Sequence, residues 1–184
     1  MLNYSELLLD ALLQPLVILL LLRFHLLWLR APMHNSFGRF LMTLTDFLVL
    51  PARRLFTPVR GIDIASLLLI FAAETLYFAL SWMLHGKPFA LPGLLVWSAV
   101  HLLRVSIYLL MGLLLARALL SWINPYSPIS TLMIAATQPF LEPLQRRIPS
   151  LGGLDFSVLI LFLICQFILA MPISWLESQA AALL

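Results

Sequence analysis

Charge is scarce in this sequence. Only 11 Lys and Arg and 8 Asp and Glu residues occur among 184, whereas about a quarter of the residues in a soluble domain are charged. Too few charges are present to cover a soluble globule. Cysteine is nearly absent as well, because Cys165 stands alone, so a disulfide-linked scaffold is excluded. Hydrophobic residues make up 62% of the chain, which excludes intrinsic disorder and indicates a multi-pass membrane protein.

Signatures of catalysis and of metal binding are also missing. The chain has no GxSxG, HExxH, P-loop or GxGxxG motif, no paired carboxylates and no Cys/His cluster. A haem would need two imidazoles at one depth on facing helices. Only His85 and His101 are expected at the same edge of the membrane, where solvent would surround them. We therefore predict no enzymatic activity, no catalytic residue, no metal and no cofactor, and we see no basic face for nucleic acid.

Four segments are long and apolar enough to cross a bilayer, which takes about 20 mostly apolar residues. They are residues 7–29, 64–84, 94–122 and 154–176. The first and third connections carry seven arginines, whereas the second carries Lys87 alone. Because Lys and Arg are retained on the cytoplasmic side, we predict that connectors 30–63 and 123–153 are cytoplasmic and that both termini lie outside.

The chain contains an internal repeat. Shifts of 92 and 94 residues align Thr45 with Thr137, Pro51 with Pro143, Arg54 with Arg146, and Arg23 with Arg117. We predict two units, 1–92 and 93–184, each made of a span, a connector and a second span. Since two spans return the chain to its starting side, the units have parallel topology and are related by an axis along the membrane normal.

The connectors contain apolar stretches at 37–50 and 129–141 that are too short to span a bilayer. We predict a short amphipathic helix at the cytoplasmic face in each connector, ended by Pro51 and Pro143. The alternative is a buried loop packed on the bundle. Four arginines follow these stretches and are predicted to contact anionic headgroups or a cytosolic partner, or to serve only as topology signals: Arg53, Arg54, Arg146 and Arg147.

Ionisable side chains within the spans raise a functional question, because each is costly to insert. Counted from the cytoplasmic edge, Glu74 lies near the midplane, and side-chain tilt brings Arg23 and Arg117 toward it. We predict that Glu74 pairs with one of these arginines and that Gln166, its repeat mate, bonds the other. This polar seam is either a structural lock or a path for an ion, a proton or a substrate.

Other polar residues receive structural interpretations. Asp63 and Asp155 each precede a span and are predicted to cap its first turn. Arg104 and its repeat mate Asp10 are expected to reach the outer headgroups. Cys165, alone at midspan, is expected to be inert packing.

Several motifs carry a family resemblance. They are Leu22-Arg23, Pro51-Ala52-Arg53-Arg54, Gly61-Ile62-Asp63, Ser121-Trp122-Ile123-Asn124-Pro125 and Pro143-Leu144-Gln145-Arg146-Arg147. Together they resemble the YggT membrane-protein family, called YlmG in plastids and Gram-positive bacteria, over nearly the whole chain. The resemblance implies a bacterial inner-membrane protein without established enzymatic activity. Relatives are associated with osmotic tolerance, with division-related gene neighbourhoods and, in plastids, with cytochrome complex assembly and nucleoid organisation.

The sequence thus predicts an all-α protein with four transmembrane helices in two parallel helix–connector–helix repeats. Its predicted function is that of a small non-catalytic scaffold or assembly factor in the inner membrane. The alternative is transport of a small ion or solute during osmotic stress, which would require an oligomer because four helices enclose little space. The predicted partners are the lipid bilayer with its anionic headgroups and either another membrane protein or further copies of the chain.

Overall fold

The computed structural model describes residues 4–56, 62–88, 90–147 and 156–184, and these residues form helices without a β-strand. The prediction of an all-α protein is confirmed. In chain order the helices are α1 (Tyr4–Trp28), α2 (Ser36–Leu55), α3 (Ile64–Leu84), α4 (Leu91–Ile123), α5 (Pro128–Gln145), α6 (Phe156–Ile168) and α7 (Ser174–Ala181). A π-helical turn at Leu169–Ile173 joins α6 to α7.

Four helical segments of the described chain are long and apolar enough to cross a membrane, as predicted. They are α1, α3, α4 and the segment Phe156–Ala181. The last segment runs five residues beyond the predicted end and passes Pro172. Proline lacks an N–H group and its ring clashes with the preceding turn of an α-helix, so the wider π turn accommodates it. The hydroxyl of Ser174 donates to the carbonyl of Leu169 at 2.9 Å and supports this turn.

Each connector contains a helix, α2 or α5, so the alternative of a packed loop is wrong for the described part of both connectors. The predicted ends were also wrong, because α2 continues past Pro51 to Leu55 and α5 continues past Pro143 to Gln145. A proline leaves the carbonyl four residues earlier without its helical donor. Here those carbonyls belong to Phe47 and Pro139, two residues that are exposed. Both Pro51 and Pro143 lie in the last two turns of their helices.

The helix α2 is strongly two-sided. Leu41, Thr45 and Val49 are buried against the bundle, whereas Phe40 and Phe47 are 59% and 65% exposed. The amide of Asn35 caps the start of the helix by accepting a hydrogen bond from the N–H of Gly38 at 2.7 Å. A Cβ atom at Gly38 would lie 2.3 Å from the carbonyl oxygen of Met33, so only glycine fits this close approach.

The two repeats pack in corresponding ways. In the first, α1 packs along α3 and α2 packs beneath both; in the second, α4 packs against α6 and α7, and α5 packs against α4 and α6. We call the end of the bundle that carries α2 and α5 the connector end. At this end, Leu26, Leu41, Leu113, Leu132 and Ala136 form one buried cluster to which both repeats contribute. The α4 helix also packs on α3 and thereby joins the repeats.

Candidate functional site

Arg23 is fully buried in α1 and is bound by the first connector helix. Its Nη1 donates to the hydroxyl oxygen of Thr45 at 2.6 Å and to Oδ1 of Asp46 at 2.8 Å. The same hydroxyl donates to the carbonyl of Leu41 at 2.7 Å, which orients its lone pairs toward the arginine. Nη1 of the buried guanidinium therefore has both a countercharge and a neutral acceptor, while Nε and Nη2 have no hydrogen-bond partner within the described chain.

Arg117 makes the corresponding contact in the second repeat. Its Nη1 donates to the hydroxyl oxygen of Thr137 at 2.9 Å and to Oε1 of Gln138 at 3.2 Å, and the Thr137 hydroxyl donates to the carbonyl of Met133 at 2.8 Å. We call these two sets of contacts the arginine clamps. Each clamp ties a connector helix to the first span of its own repeat.

The predicted pairing of Glu74 with an arginine is therefore wrong. Glu74 is fully buried, and its Oε1 forms a hydrogen bond of 2.5 Å with Nδ1 of His101. Counting from the loop between α3 and α4 explains this pairing, because Glu74 lies ten residues before Leu84 and His101 lies ten residues after Leu91. The depth of these residues counted from the cytoplasmic edge did not predict the Glu74–His101 pairing, because α4 begins earlier in the chain than the predicted third span.

Several polar atoms near this pair have no hydrogen-bond partner among the residues that the structure describes. They are Oε2 of Glu74, the hydroxyl of Thr75 and the indole N–H of Trp97, all of them buried. The ring of Phe78 packs edge-on against both His101 and Trp97, with centroids 5.0 and 6.1 Å apart. The Glu74–His101 pair is thus enclosed by aromatic rings on one side and keeps one carboxylate oxygen uncommitted.

A groove of about 510 Å³ lies between α1 and α4 and reaches the Glu74–His101 pair. His101 lines the groove together with Gln14 and Tyr108, while the remaining lining is mainly aliphatic. Nε2 of His101 makes no hydrogen bond within the described chain. The groove therefore offers a few polar groups in an otherwise mainly apolar wall.

Gln166 does not join any of these contacts. It is exposed on α6, so the prediction that it bonds an arginine is wrong. Its repeat mate Glu74 is enclosed because α4 packs against α3.

Another polar contact of α4 was not predicted from the sequence. Nη2 of Arg104 pairs with Oε2 of Glu177 at 2.5 Å. Asp10, which was grouped with Arg104, instead accepts a hydrogen bond from the Tyr77 hydroxyl at 2.8 Å.

The four connector arginines have different surroundings. Arg53 is part-buried and donates to Oδ2 of Asp63 through Nε at 3.2 Å and Nη2 at 2.5 Å, so it joins the end of α2 to the start of α3. Arg146 is exposed and pairs with Glu142 within α5 at 2.5 Å. The side chains of Arg54 and Arg147 are exposed. These last two residues fit the predicted role in surface contact best.

Asp63 stands at the N-cap of α3, where its side chain accepts a hydrogen bond from the backbone N–H of Ser66 at 3.4 Å. Burial by itself raises the pKa of the Asp63 carboxyl, but hydrogen bonds from Arg53 and Ser66 and the charge of Arg53 outweigh it and lower the pKa. Asp155, the other predicted cap, lies outside the described residues. Within the described residues, no three His, Cys, Asp or Glu side chains form a group that could hold a metal ion.

Comparison with known proteins agrees with this duplicated arrangement. The family model described as CCB3/YggT matches the chain twice, over residues 2–84 and 96–176. The chain is 32% identical to the Escherichia coli K12 protein YggT, covering 90% of this chain and 87% of that protein. It is also 32% identical to a Vibrio alginolyticus protein encoded in the proC 3′ region, covering 90% of this chain and 91% of the relative. No solved structure matches the chain. With two copies of the family's unit, each holding its connector by an arginine of its first span, the chain belongs to the CCB3/YggT family.

Proposed function

We propose that this protein is a non-catalytic scaffold of the bacterial inner membrane, with its connectors on the cytoplasmic side and both termini outside. The observation that carries the proposal is the pair of arginine clamps. Each clamp fixes an amphipathic helix to a membrane span through a charged side chain, the fully buried Arg23 or the part-buried Arg117. Such a costly interaction makes sense where the position of the connector helix matters more than its mobility.

The outer side of α2 supports this proposal. Phe40, Leu44 and Phe47 are exposed and spaced to share one side of the helix, and the exposed Arg54 follows them. Helices of this kind lie in the membrane interface and bind anionic lipid through basic side chains at their polar edge. The proposed scaffold therefore engages anionic headgroups at the connector end and presents the two connector helices in a fixed arrangement.

The lipid contact is tested on detergent-solubilised protein by thermal melting in the presence of phosphatidylglycerol or phosphatidylcholine. We expect phosphatidylglycerol to raise the Tm more than phosphatidylcholine does. The double variant Arg54→Gln/Arg147→Gln should lose most of that difference. Lys87→Gln, at the opposite end of the bundle, is the matched control and should keep it. Equal stabilisation by the two lipids would overturn the proposed contact.

A second candidate function is the passage of protons or small cations, and the Glu74–His101 pair favours it. A buried carboxylate with one uncommitted oxygen, next to an imidazole that lines a groove, is the kind of group that relays protons within membranes. Reconstitution into liposomes separates the two functions. The scaffold proposal predicts proton and potassium flux equal to that of protein-free vesicles. Flux that disappears in Glu74→Gln and persists in Lys87→Gln would favour transport instead.

A further inference from the structure

Gln166 occupies an unusual position for a polar residue. It is the eleventh residue of the 26-residue span Phe156–Ala181, about 15 Å along the helix at 1.5 Å per residue, which is close to the middle of a bilayer. Its side chain is exposed and makes no hydrogen bond with the described part of the chain. An amide group facing hydrocarbon loses its hydrogen bonds to water and gains none in return.

Exposed apolar residues surround this amide. Leu159, Leu163 and Ala170 lie one or two turns from Gln166 on the same side of the helix, and Phe167, the next residue along the chain, borders that side; all four are exposed. We call these five residues the last-span face. Ala170 is small and lies one turn from Gln166, so another helix can approach closely at the level of the amide.

We propose that the last-span face binds the same face of a second copy of this chain, with the two Gln166 side chains hydrogen-bonded to each other. An amide carries both a donor and an acceptor, so Gln166 is complementary to itself across a two-fold axis. Two copies inserted in the same orientation place Gln166 at the same depth on both sides of that axis. Each amide then donates to the other, and both hydrogen bonds form within one isologous interface.

The repeat explains why the contact is with the same helix of the second copy. Within the chain, α3 is covered by α4, and Glu74 finds His101 there. In the repeat, α6 corresponds to α3 and α1 corresponds to α4. If two copies packed as the two repeats do, α6 of one copy would therefore lie against α1 of the other. The position in α1 that corresponds to His101, 94 residues earlier, is the apolar Leu7, which offers the Gln166 amide no hydrogen bond. Packing α6 on α6 supplies the missing partner.

Disulfide crosslinking in native membranes tests the proposal. Cys165 is the only cysteine of the chain, so Cys165→Ala gives a background without cysteine. Leu163→Cys in this background places a thiol on the last-span face and leaves Gln166 intact. We expect an oxidant to give a product of twice the chain mass. Leu76→Cys is the matched control, because Leu76 is also an exposed midspan leucine but lies on α3, and it should give little such product.

The role of the amide is tested by adding Gln166→Leu to the Leu163→Cys protein. Hydrogen bonds between membrane helices correspond to roughly a five- to thirtyfold change in the association constant, so the crosslinked fraction at low expression should fall severalfold. Gln166→Asn, which keeps an amide, should restore part of it. Because Gln166 is exposed and makes no hydrogen bond within the described part of its own chain, the melting of the monomer should stay unchanged, which separates lost association from lost folding.

Three results would overturn the proposal. The first is equal crosslinking from Leu163→Cys and Leu76→Cys. The second is an unchanged crosslinked fraction after Gln166→Leu. The third is a product whose mass shows a different protein attached to the last-span face. None of these results bears on lipid binding at the connector end, so the scaffold proposal and this one can fail separately.

Discussion

Arg23 and Arg117 bind the same kind of connector helix through different acceptors. Arg23 uses the Asp46 carboxylate, whereas Arg117 uses the neutral amide of Gln138, which stands 92 residues later. Both clamps keep the threonine contact, and an amide oxygen stands in the second clamp where a carboxylate oxygen stands in the first. Both clamps have an acceptor oxygen at this position, and in the first clamp that oxygen also belongs to the charged carboxylate of Asp46.

This comparison gives a prediction for Asp46. Asp46→Asn keeps an acceptor and should lower the unfolding free energy by less than about 1.5 kcal/mol, the value of an ordinary hydrogen bond. Asp46→Leu leaves the fully buried Arg23 without its countercharge and should cost about 3–5 kcal/mol. Thermal or chemical unfolding in detergent measures both changes. A leucine variant as stable as the asparagine variant would contradict the importance of this contact.

The Glu74–His101 pair should behave differently, because histidine can lose its charge and arginine cannot. Glu74→Leu leaves beside the groove an imidazole, which unlike a guanidinium can be uncharged, and should therefore cost less than Asp46→Leu. A double-mutant cycle with His101→Leu isolates the contact between the two side chains, and we expect a coupling free energy of about 0.5–3 kcal/mol. Strictly additive losses in the double variant would show that the two side chains do not stabilise each other.

The sequence identified the arginine and the threonine of each clamp, but neither their pairing nor the further acceptors Asp46 and Gln138. Arg23, Arg117, Thr45 and Thr137 stood out as repeat identities, and in the structure the arginine and threonine of each repeat are in contact. The prediction paired the arginines with Glu74 because it treated the connectors as surface helices and considered only the spans as partners. Opposite charges within spans suggested attraction, yet the connector threonines lie closer to the guanidinium groups.

The junction between α2 and α3 gives a prediction about pH. The folded state lowers the pKa of Asp63 through Arg53 and Ser66, so the ionised carboxylate stabilises the fold at pH values above the unfolded pKa, about 3.9. This stabilisation should be lost as the pH falls through the folded pKa. The Tm of the parent protein should therefore drop on acidification below about pH 4.

Asp63→Asn is the matched variant for this measurement, since asparagine also caps helices well but carries no charge. It should have a lower Tm than the parent at pH 7. The difference should shrink as the parent carboxylate becomes protonated at low pH. Parallel Tm curves for the two proteins from pH 7 to pH 2 would argue against a charged contact between Arg53 and Asp63.

The helices were more predictable than their ends. Apolar length predicted the four spans, and the shorter apolar stretches predicted helices in the connectors. Prolines misled the prediction at Pro51 and Pro143, each of which lies inside a helix, whereas the predicted fourth span already passed through Pro172. A local rule treats proline as a stop, whereas packing of the flanking turns and a π turn can carry a helix past it.

At the level of the whole molecule, the asymmetry of arginine gives a prediction of orientation. A position after Leu184 should lie outside the cytoplasm, so a fused alkaline phosphatase should be active there. A position within residues 57–60 should lie in the cytoplasm, so an inserted fluorescent protein should be fluorescent there. Alkaline phosphatase and a fluorescent protein, each placed at both positions, provide reciprocal controls. A fluorescent C-terminal fusion together with an active phosphatase in the connector would reverse the proposed orientation.

The arginine clamps also bear on how the chain is made. During synthesis α1 enters the bilayer with Arg23 inside it, before Thr45 and Asp46 of α2 have left the ribosome. The inserted helix therefore carries an unpaired cation until the connector folds beneath it, and the same delay recurs between Arg117 and α5. Each repeat becomes a finished unit only when its connector docks. Biogenesis should accordingly proceed in two stages, and a nascent chain arrested before residue 45 should hold α1 less firmly in the membrane than one arrested after α2 is complete.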